Sequence, residues 1–245
     1  MDQLSTFKIP LRKEALLYRD FKLSLIIPED RLCPPIPNRL NYILWLQDIL
    51  DWSLLSDSNY EDLPVRGLDV GTGASAIYPL LGCKERAQWH FVATDIDEQS
   101  LNYARLNVRQ NGLEDRIRLL QVDPSDSILQ TVATASSADI PFDFTMCNPP
   151  FYGSREEVFR SADAKELGPS AVCTGTDNEM ITDGGEAKFV AKMVKESKHL
   201  KTRCRWYTSM LGKLASIVDI AALLHEEKVD FHLAIRDGVL TWGLD

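Results

Sequence analysis

Three features predict an α/β fold, a mostly parallel twisted sheet with helices on both faces and an N-terminal helical lead-in. Strand-like and helix-like segments alternate from residue 65 onward, a glycine turn follows the first strand, and the second strand ends in an acid. At 245 residues the chain fits one structural domain. Its organisation reads as a lead-in over residues 1–63 packed on a core over residues 64–245.

The lead-in opens with a short helix over Lys13 to Asp20, then the alternating Leu23, Leu25 and Ile27, then a turn at Pro34, Pro35 and Pro37. Helix resumes at Arg39 with Asn38 as its N-cap, placing Leu40, Ile43, Leu44 and Gln47 on one side. After the polar stretch Ser53 to Pro64, Val65 to Val70 is a strand and Ala74 to Leu81 starts a helix. Trp89 to Ala93 is the next strand. Its following helix presents Leu101, Ala104 and Val108 on one face and stops at Asn111-Gly112. Ile117 to Val122 and Phe142 to Cys147 are the third and fourth strands, and Tyr152 to Asp183 reads as a long loop. A helix through Lys188 to Glu196, a strand through Arg203 to Ser209, a helix from Leu214 to His225 and a strand from Val229 to Ile235 complete the alternation. Trp206 and Tyr207, within a strand-like run, are expected in the core.

Composition excludes several classes. Cys33, Cys83, Cys147, Cys173 and Cys204 form no C-x-x-C pair, which points to a reduced intracellular compartment, nuclear or cytoplasmic, without a disulfide framework or zinc site. His90, His199, His225 and His232 have no ligand spacing, so no metal is expected. No apolar run is long enough to span a bilayer and the N-terminus lacks the layout of a secretory signal, so a soluble protein, more readily a monomer, is expected. A net charge of -9 opposes diffuse attraction to nucleic acid. Lys188, Lys192, Lys195, Lys198, Lys201, Arg203, Arg205 and Lys213 nevertheless concentrate positive charge in one stretch. It is either a phosphate-contacting surface or a solvated outer face.

Three sites carry chemistry. In Leu68-Asp69-Val70-Gly71-Thr72-Gly73-Ala74-Ser75, glycines let the backbone pass close to a ligand, and the helix start beyond offers free N–H groups. Ala76 stands where the dinucleotide fingerprint has its third glycine, and a G-x-G turn is also an ordinary strand-to-helix connection. Asp95 ends the second strand about 24 residues after Gly71, where doubly wound folds place the carboxylate that accepts from ribose hydroxyls. Asp97 is the neighbouring alternative, and either could instead be a helix cap. Together these sites suit an adenosine-containing cofactor, NAD and S-adenosylmethionine alike.

Asn148-Pro149-Pro150-Phe151 separates the two. It ends the fourth strand at the crevice where open α/β sheets bind ligands. An exocyclic amine conjugated to a ring is a poor nucleophile because its lone pair is delocalised. The Asn148 amide oxygen and Pro149 carbonyl can accept its two N–H bonds, turning the lone pair towards a methyl donor. Consecutive prolines fix the backbone, and Phe151 can stack on a flipped base.

With Arg39-Leu40-Asn41-Tyr42-Ile43, Asp183-Gly184-Gly185-Glu186 and Arg205-Trp206-Tyr207 through Met210-Leu211-Gly212-Lys213 added, these motifs resemble the methyltransferase-like protein 16 family over nearly the whole chain. The resemblance implies a class I (Rossmann-like) S-adenosylmethionine-dependent methyltransferase acting on adenine N6 of a structured RNA, U6 small nuclear RNA foremost. It is also similar to bacterial enzymes acting on ribosomal RNA adenine. Ribosomal RNA or DNA adenine, a protein glutamine, and a non-catalytic RNA-binding role are the alternative readings. By matching position, the resemblance implies cofactor contacts at Arg39, Gly71, Gly73, Ser75, Asp95, Ser127 and Asn148, with Arg39 pairing with the methionine carboxylate. Asn148, Pro149, Pro150 and Phe151 are the implied catalytic residues. Lys188, Lys192, Lys195, Arg203, Arg205 and Lys213 are the candidates for RNA contact. Asp237 to Gly243 is similar to a final hairpin but stops early, and a shortened last strand is expected to leave a sheet edge open or to need a partner.

Overall fold

The computed structural model describes residues 15–32, 35–53, 64–135, 141–164, 175–229 and 238–243, with side chains at 161–164 left aside. Six strands make one sheet: β1 (Val65–Val70), β2 (Trp89–Asp95), β3 (Ile117–Gln121), β4 (Phe142–Cys147), β5 (Cys204–Met210) and β6 (Val239–Gly243). Their order is β3-β2-β1-β4-β5-β6. All neighbours run parallel except β6, which returns antiparallel along β5 from Trp206↔Gly243 to Met210↔Val239. β6 thus covers that side of β5 and is itself the end strand of the sheet among the described residues. The strand order reverses between β1 and β4, so the crevice beyond their carboxyl ends is the place for a ligand.

Eight helices surround the sheet among the described residues: α1 (Ile36–Ser53), α2 (Ile77–Glu85), α3 (Glu98–Gln110), α4 (Gln130–Ala135), α5 (Arg155–Ala164), α6 (Asp177–Met180), α7 (Gly185–Leu200) and α8 (Leu214–Glu226). They bury two apolar clusters. One joins α1, α2 and α3 through Tyr42, Leu46, Leu80, Ala104, Phe144 and Met146. The other joins α4, α7 and α8 through Leu68, Val70, Val132, Val190, Ile220 and Trp242. Each fully buried aliphatic or aromatic side chain contributes roughly 1.5–3 kcal/mol, so this two-sided burial is the main source of stability. Gly67, in the central strand, is required by close approach. A Cβ there would stand 2.4 Å from Phe144 Cζ and 2.8 Å from Phe91 Cε1, two rings that meet edge to face across β1.

The described lead-in packs into the first cluster. Leu23, Leu25 and Ile27 are buried as their alternation suggests. Their backbone is held by side chains of α3: Ile26 N–H donates to Asn107 Oδ1 (2.7 Å) and Ser24 N–H to Asn111 Oδ1 (2.9 Å). The expected helix at Lys13 to Asp20 is a π-helical turn over Leu17–Phe21, closed by Lys22 at φ 54°; Lys13 lies outside the described residues.

Several boundaries differ from expectation. Helix α1 starts at Ile36, so Asn38 lies inside it rather than capping it, and Pro37 sits in the first turn, where its missing N–H costs nothing. The inward face is Ile36, Tyr42, Ile43, Leu46, Gln47 and Leu50, while Leu44 is exposed. Helix α2 starts at Ile77, three residues late, because Gly71, Gly73 and Ala76 adopt positive φ (75°, 63° and 48°) and hold the preceding turn open. The segment read as one loop from Tyr152 to Asp183 contains α5 and α6, and α4 was not foreseen. Of the strand expected at Val229 to Ile235, only Val229 lies within the described residues.

Candidate functional site

One cavity of about 780 Å³ opens at the carboxyl ends of β1, β2 and β4. Arg39, Gly71, Gly73, Ser75, Asp95, Ser127 and Asn148 all line it.

The glycine turn forms its floor. Gly71 and Thr72 donate their N–H groups to Thr94 O, both at 2.9 Å, which fastens the turn to β2. Gly73 N–H donates to Asp95 Oδ2 (2.8 Å) and Asp97 N–H to Asp95 Oδ1 (2.9 Å). The Asp95 carboxylate is thereby fixed at the rim, with lone pairs left for hydroxyl donors. Burial raises its pKa, while these two backbone N–H groups oppose the rise. Asp97, the alternative to Asp95, is the N-cap of α3: it accepts from Ser100 N–H (3.0 Å) and pairs with the buried Arg31 (2.9 Å). A Cβ on Gly71 would meet nothing within 4 Å, so the backbone there faces open space.

Arg39 projects from α1 with its guanidinium 5.4 Å from the Tyr78 ring centre and Nη1 3.2 Å from Met210 Sδ. A thioether and a ring face leave its charge uncompensated by any carboxylate within ion-pair range among the described residues, which suits an anionic ligand. Beneath the turn lies Asp69, fully buried, with neither carboxylate oxygen hydrogen-bonded among the described residues; the Thr72 hydroxyl is near but outside bonding geometry. Burial foremost, and the nearby Asp95 charge, push its pKa up to about 7, against the pull of Arg39.

Asn148 and Pro150 stand on the wall, whereas Pro149 is buried and absent from it. The Tyr42 hydroxyl, bonded to Thr208 Oγ1 (2.7 Å), accepts Cys147 N–H (3.3 Å) one residue before Asn148. The Thr208 hydroxyl in turn donates to Thr145 O (2.7 Å). Phe151, expected at the base, also lies off the wall: its ring packs edge-on to Tyr152 (4.9 Å) with the Lys213 ammonium 4.7 Å from its centre.

The basic residues divide. Lys188, Lys192 and Lys195 line the cavity rim from α7. Arg203 and Arg205 sit at the amino end of β5, the opposite end of the sheet, and Arg203 Nη1 donates to Ala133 O (2.9 Å). They do not join this site. Lys213 is turned onto the tetrad.

Glu179, on the same cavity wall, was not foreseen. Its carboxylate accepts Thr176 N–H (3.0 Å) and Leu32 N–H (3.3 Å), tying α6 to the lead-in over the glycine turn. The pattern Thr176-x-x-Glu179 is a capping box and was a readable signal for it. Tyr78, the ring under Arg39, carried no such signal. Among the described residues no group of His, Cys, Asp and Glu could hold a metal, and no helix is long and apolar enough to cross a membrane.

Comparison with known proteins places this geometry. A profile described as RNA methyltransferase matches residues 6–231. The chain is 41% identical over 234 residues to "RNA N(6)-adenosine-methyltransferase METTL16" of Mus musculus, covering 94% of this chain and 41% of that protein. It is 41% identical over 217 residues to the "U6 small nuclear RNA (adenine-(43)-N(6))-methyltransferase" of Schizosaccharomyces pombe, covering 88% and 53%. The chain therefore spans about half the length of these relatives or less. Among solved structures, the hMettl16 catalytic domain in complex with MAT2A 3'UTR hairpin 1 superposes with a TM-score of 0.79 at 38% identity, covering 96% of this chain and 79% of that one. The N-terminal domain of human METTL16 in complex with SAH gives 0.71 at 34% identity, covering 95% and 80%.

Proposed function

Because the chain belongs to this RNA methyltransferase family, we propose that it transfers a methyl group from S-adenosylmethionine to adenine N6 of a structured RNA, with U6 small nuclear RNA the foremost target. The observation that carries the reading is the position of Asn148, on the wall of the same cavity as Gly71, Ser75 and Asp95, where β4 ends beside β1.

The residues present fit the cofactor. Asp95 offers oxygens to ribose hydroxyls and the Gly71–Ser75 turn gives close backbone approach, while Arg39 presents an uncompensated cation to a carboxylate. S-adenosylmethionine, when bound, supplies an electrophilic methyl group on a sulfonium. The chain's own contribution is to hold the acceptor. Asn148 Oδ1, on the cavity wall, accepts an N–H bond of a planar amine and so helps orient its lone pair, whereas Pro149, buried off the wall, serves to fix the backbone beside it. No strong base is needed before transfer, since methylation itself makes the nitrogen acidic. The Lys188, Lys192 and Lys195 ammonium groups at the rim provide phosphate contacts for RNA on a chain that is otherwise acidic. The adenine must be unpaired or flipped to reach Asn148.

The test is labelled-methyl transfer to RNA, DNA and protein side by side, with S-adenosylhomocysteine titrated in a thermal-shift experiment. Incorporation into an unpaired RNA adenine and a ligand-dependent rise in stability are expected. Label in protein or DNA alone would redirect the assignment, and no thermal shift would remove the cofactor.

A further inference from the structure

The Asn148–Phe151 segment poses a mechanical problem. Pro149 and Pro150 have no N–H, so the tetrad's middle cannot be pinned by backbone donors and must be located from its flanks. Upstream, the Tyr42 hydroxyl takes the Cys147 N–H. Downstream, each successive peptide group is engaged. Lys213 Nζ donates to Phe151 O (3.1 Å), Tyr152 N–H donates to Met180 O (2.9 Å), Thr182 N–H donates to Tyr152 O (2.9 Å), and Gly153 N–H donates to Glu157 Oε2 (2.7 Å). Lys213 and Glu157 also pair directly, and this contact, with the Gly153 N–H, holds the Glu157 carboxyl below its ordinary pKa.

We propose that Lys213 is a positioning residue for the Asn148–Phe151 tetrad, not an RNA phosphate contact. An ammonium has three donors. Here the ammonium meets the Phe151 carbonyl and the Glu157 carboxylate, and it stands 4.7 Å from the Phe151 ring centre and 5.7 Å from that of Tyr152. The base of Lys213 is anchored too. The carboxylate of Glu186, 2% exposed, accepts Gly212 N–H (2.9 Å) and Lys213 N–H (2.8 Å), so the start of α7 fixes the residue that fixes the tetrad. Gly212 completes the fit: a Cβ there would stand 2.0 Å from Phe151 Cε2. Removing the ammonium frees the Phe151 carbonyl and ring, and a displacement of about 1 Å at the acceptor site is enough to cost about 100-fold in rate.

This inference rests on the methyltransferase reading, and the two fail differently. The experiment compares the unaltered chain with Lys213→Met, Lys213→Arg and Glu157→Gln on a hairpin RNA bearing one unpaired adenine. Steady-state methylation is measured at saturating RNA, and RNA affinity at several salt concentrations. Lys213→Met is expected to lower kcat by about 10-fold to 100-fold, with RNA affinity and its salt slope unchanged and S-adenosylhomocysteine binding retained. Glu157→Gln is expected to show a smaller loss of the same kind, and Lys213→Arg a partial rescue. A Lys213→Met chain with full kcat at saturating RNA and a salt slope reduced by about one would make Lys213 a phosphate contact and overturn the proposal. Full kcat with an unchanged slope would overturn it equally. If Lys213→Met does not fold, Glu157→Gln decides, and full kcat there overturns the proposal. An unaltered chain that binds the hairpin and S-adenosylhomocysteine yet never methylates would instead sink the function reading.

Discussion

Replacing Asp69 with asparagine is expected to remove a large pH dependence from the stability of the ligand-free protein. The folded carboxyl has a pKa of about 7 against an ordinary 3.8, because burial disfavours its charge. Between those values the folded state holds a proton that the unfolded chain has released, so stability falls as pH rises. Each pH unit in that window costs about 1.4 kcal/mol, so about 3 kcal/mol is lost between pH 5 and pH 8, nearly all of it below pH 7. Asparagine reproduces the neutral form at every pH. The variant is therefore expected to match the unaltered chain only below about pH 4, to exceed it by about 2 kcal/mol at pH 5 and by about 4 kcal/mol at pH 8, the gap widening by about 3 kcal/mol across that window. Urea unfolding of both chains at pH 5, 6, 7 and 8 reads the difference directly, and Asp95, Asp143 and Glu179, also raised by burial, largely cancel in it. Parallel curves for the two chains would refute the reasoning, since Asp69 would then be charged throughout.

Other outcomes follow from named contacts. Asn148→Ala is expected to lower kcat for RNA methylation by at least about 100-fold with its thermal midpoint unchanged; retained turnover would take Asn148 out of the mechanism. Gly71→Ala costs about 1 kcal/mol for placing a Cβ at φ 75°, and because that Cβ enters open cavity, calorimetric affinity for S-adenosylhomocysteine is expected to fall more than stability does. Arg31→Ala strands the Asp97 cap beside the buried Ser100 and is expected to destabilise the fold by about 3 kcal/mol in denaturant titration; a loss below 1 kcal/mol would mean that water replaces the guanidinium.

The sheet was readable because its strands are short β-rich runs bounded by turn residues. Phe142 to Cys147 matches β4 residue for residue, and Trp89 to Ala93 falls two residues short of β2. What escaped lacks periodic apolar content. Helix α4, Gln130–Ala135, is six residues long with only Thr131 and Val132 buried. Helix α5 begins Arg155-Glu156-Glu157, a polar run in which Glu157 is recruited by a lysine 56 residues away. Of the face expected on α1, Ile43 and Gln47 are buried and only Leu44 is exposed; Tyr42, whose hydroxyl meets Thr208, and Leu46 turn inward beside them. At the site, glycines and an acid at the right spacing pointed to residues that line the cavity. Phe151 and Lys213 were read by residue type as base stacker and phosphate contact; residue type gave no sign that Lys213 Nζ would stand against the Phe151 ring and carbonyl.

The hydrogen-bond chain from Tyr42 through Thr208 to Thr145 also bears on how this polypeptide can be cut or recombined. A chimera spliced at residue 64, where composition shifts, would take its Asn148 loop from one parent and the phenol beneath it from another. Such hybrids would separate the support of the Asn148 loop from the loop itself. Exchange of α1 together with β4 and β5 keeps that assembly whole.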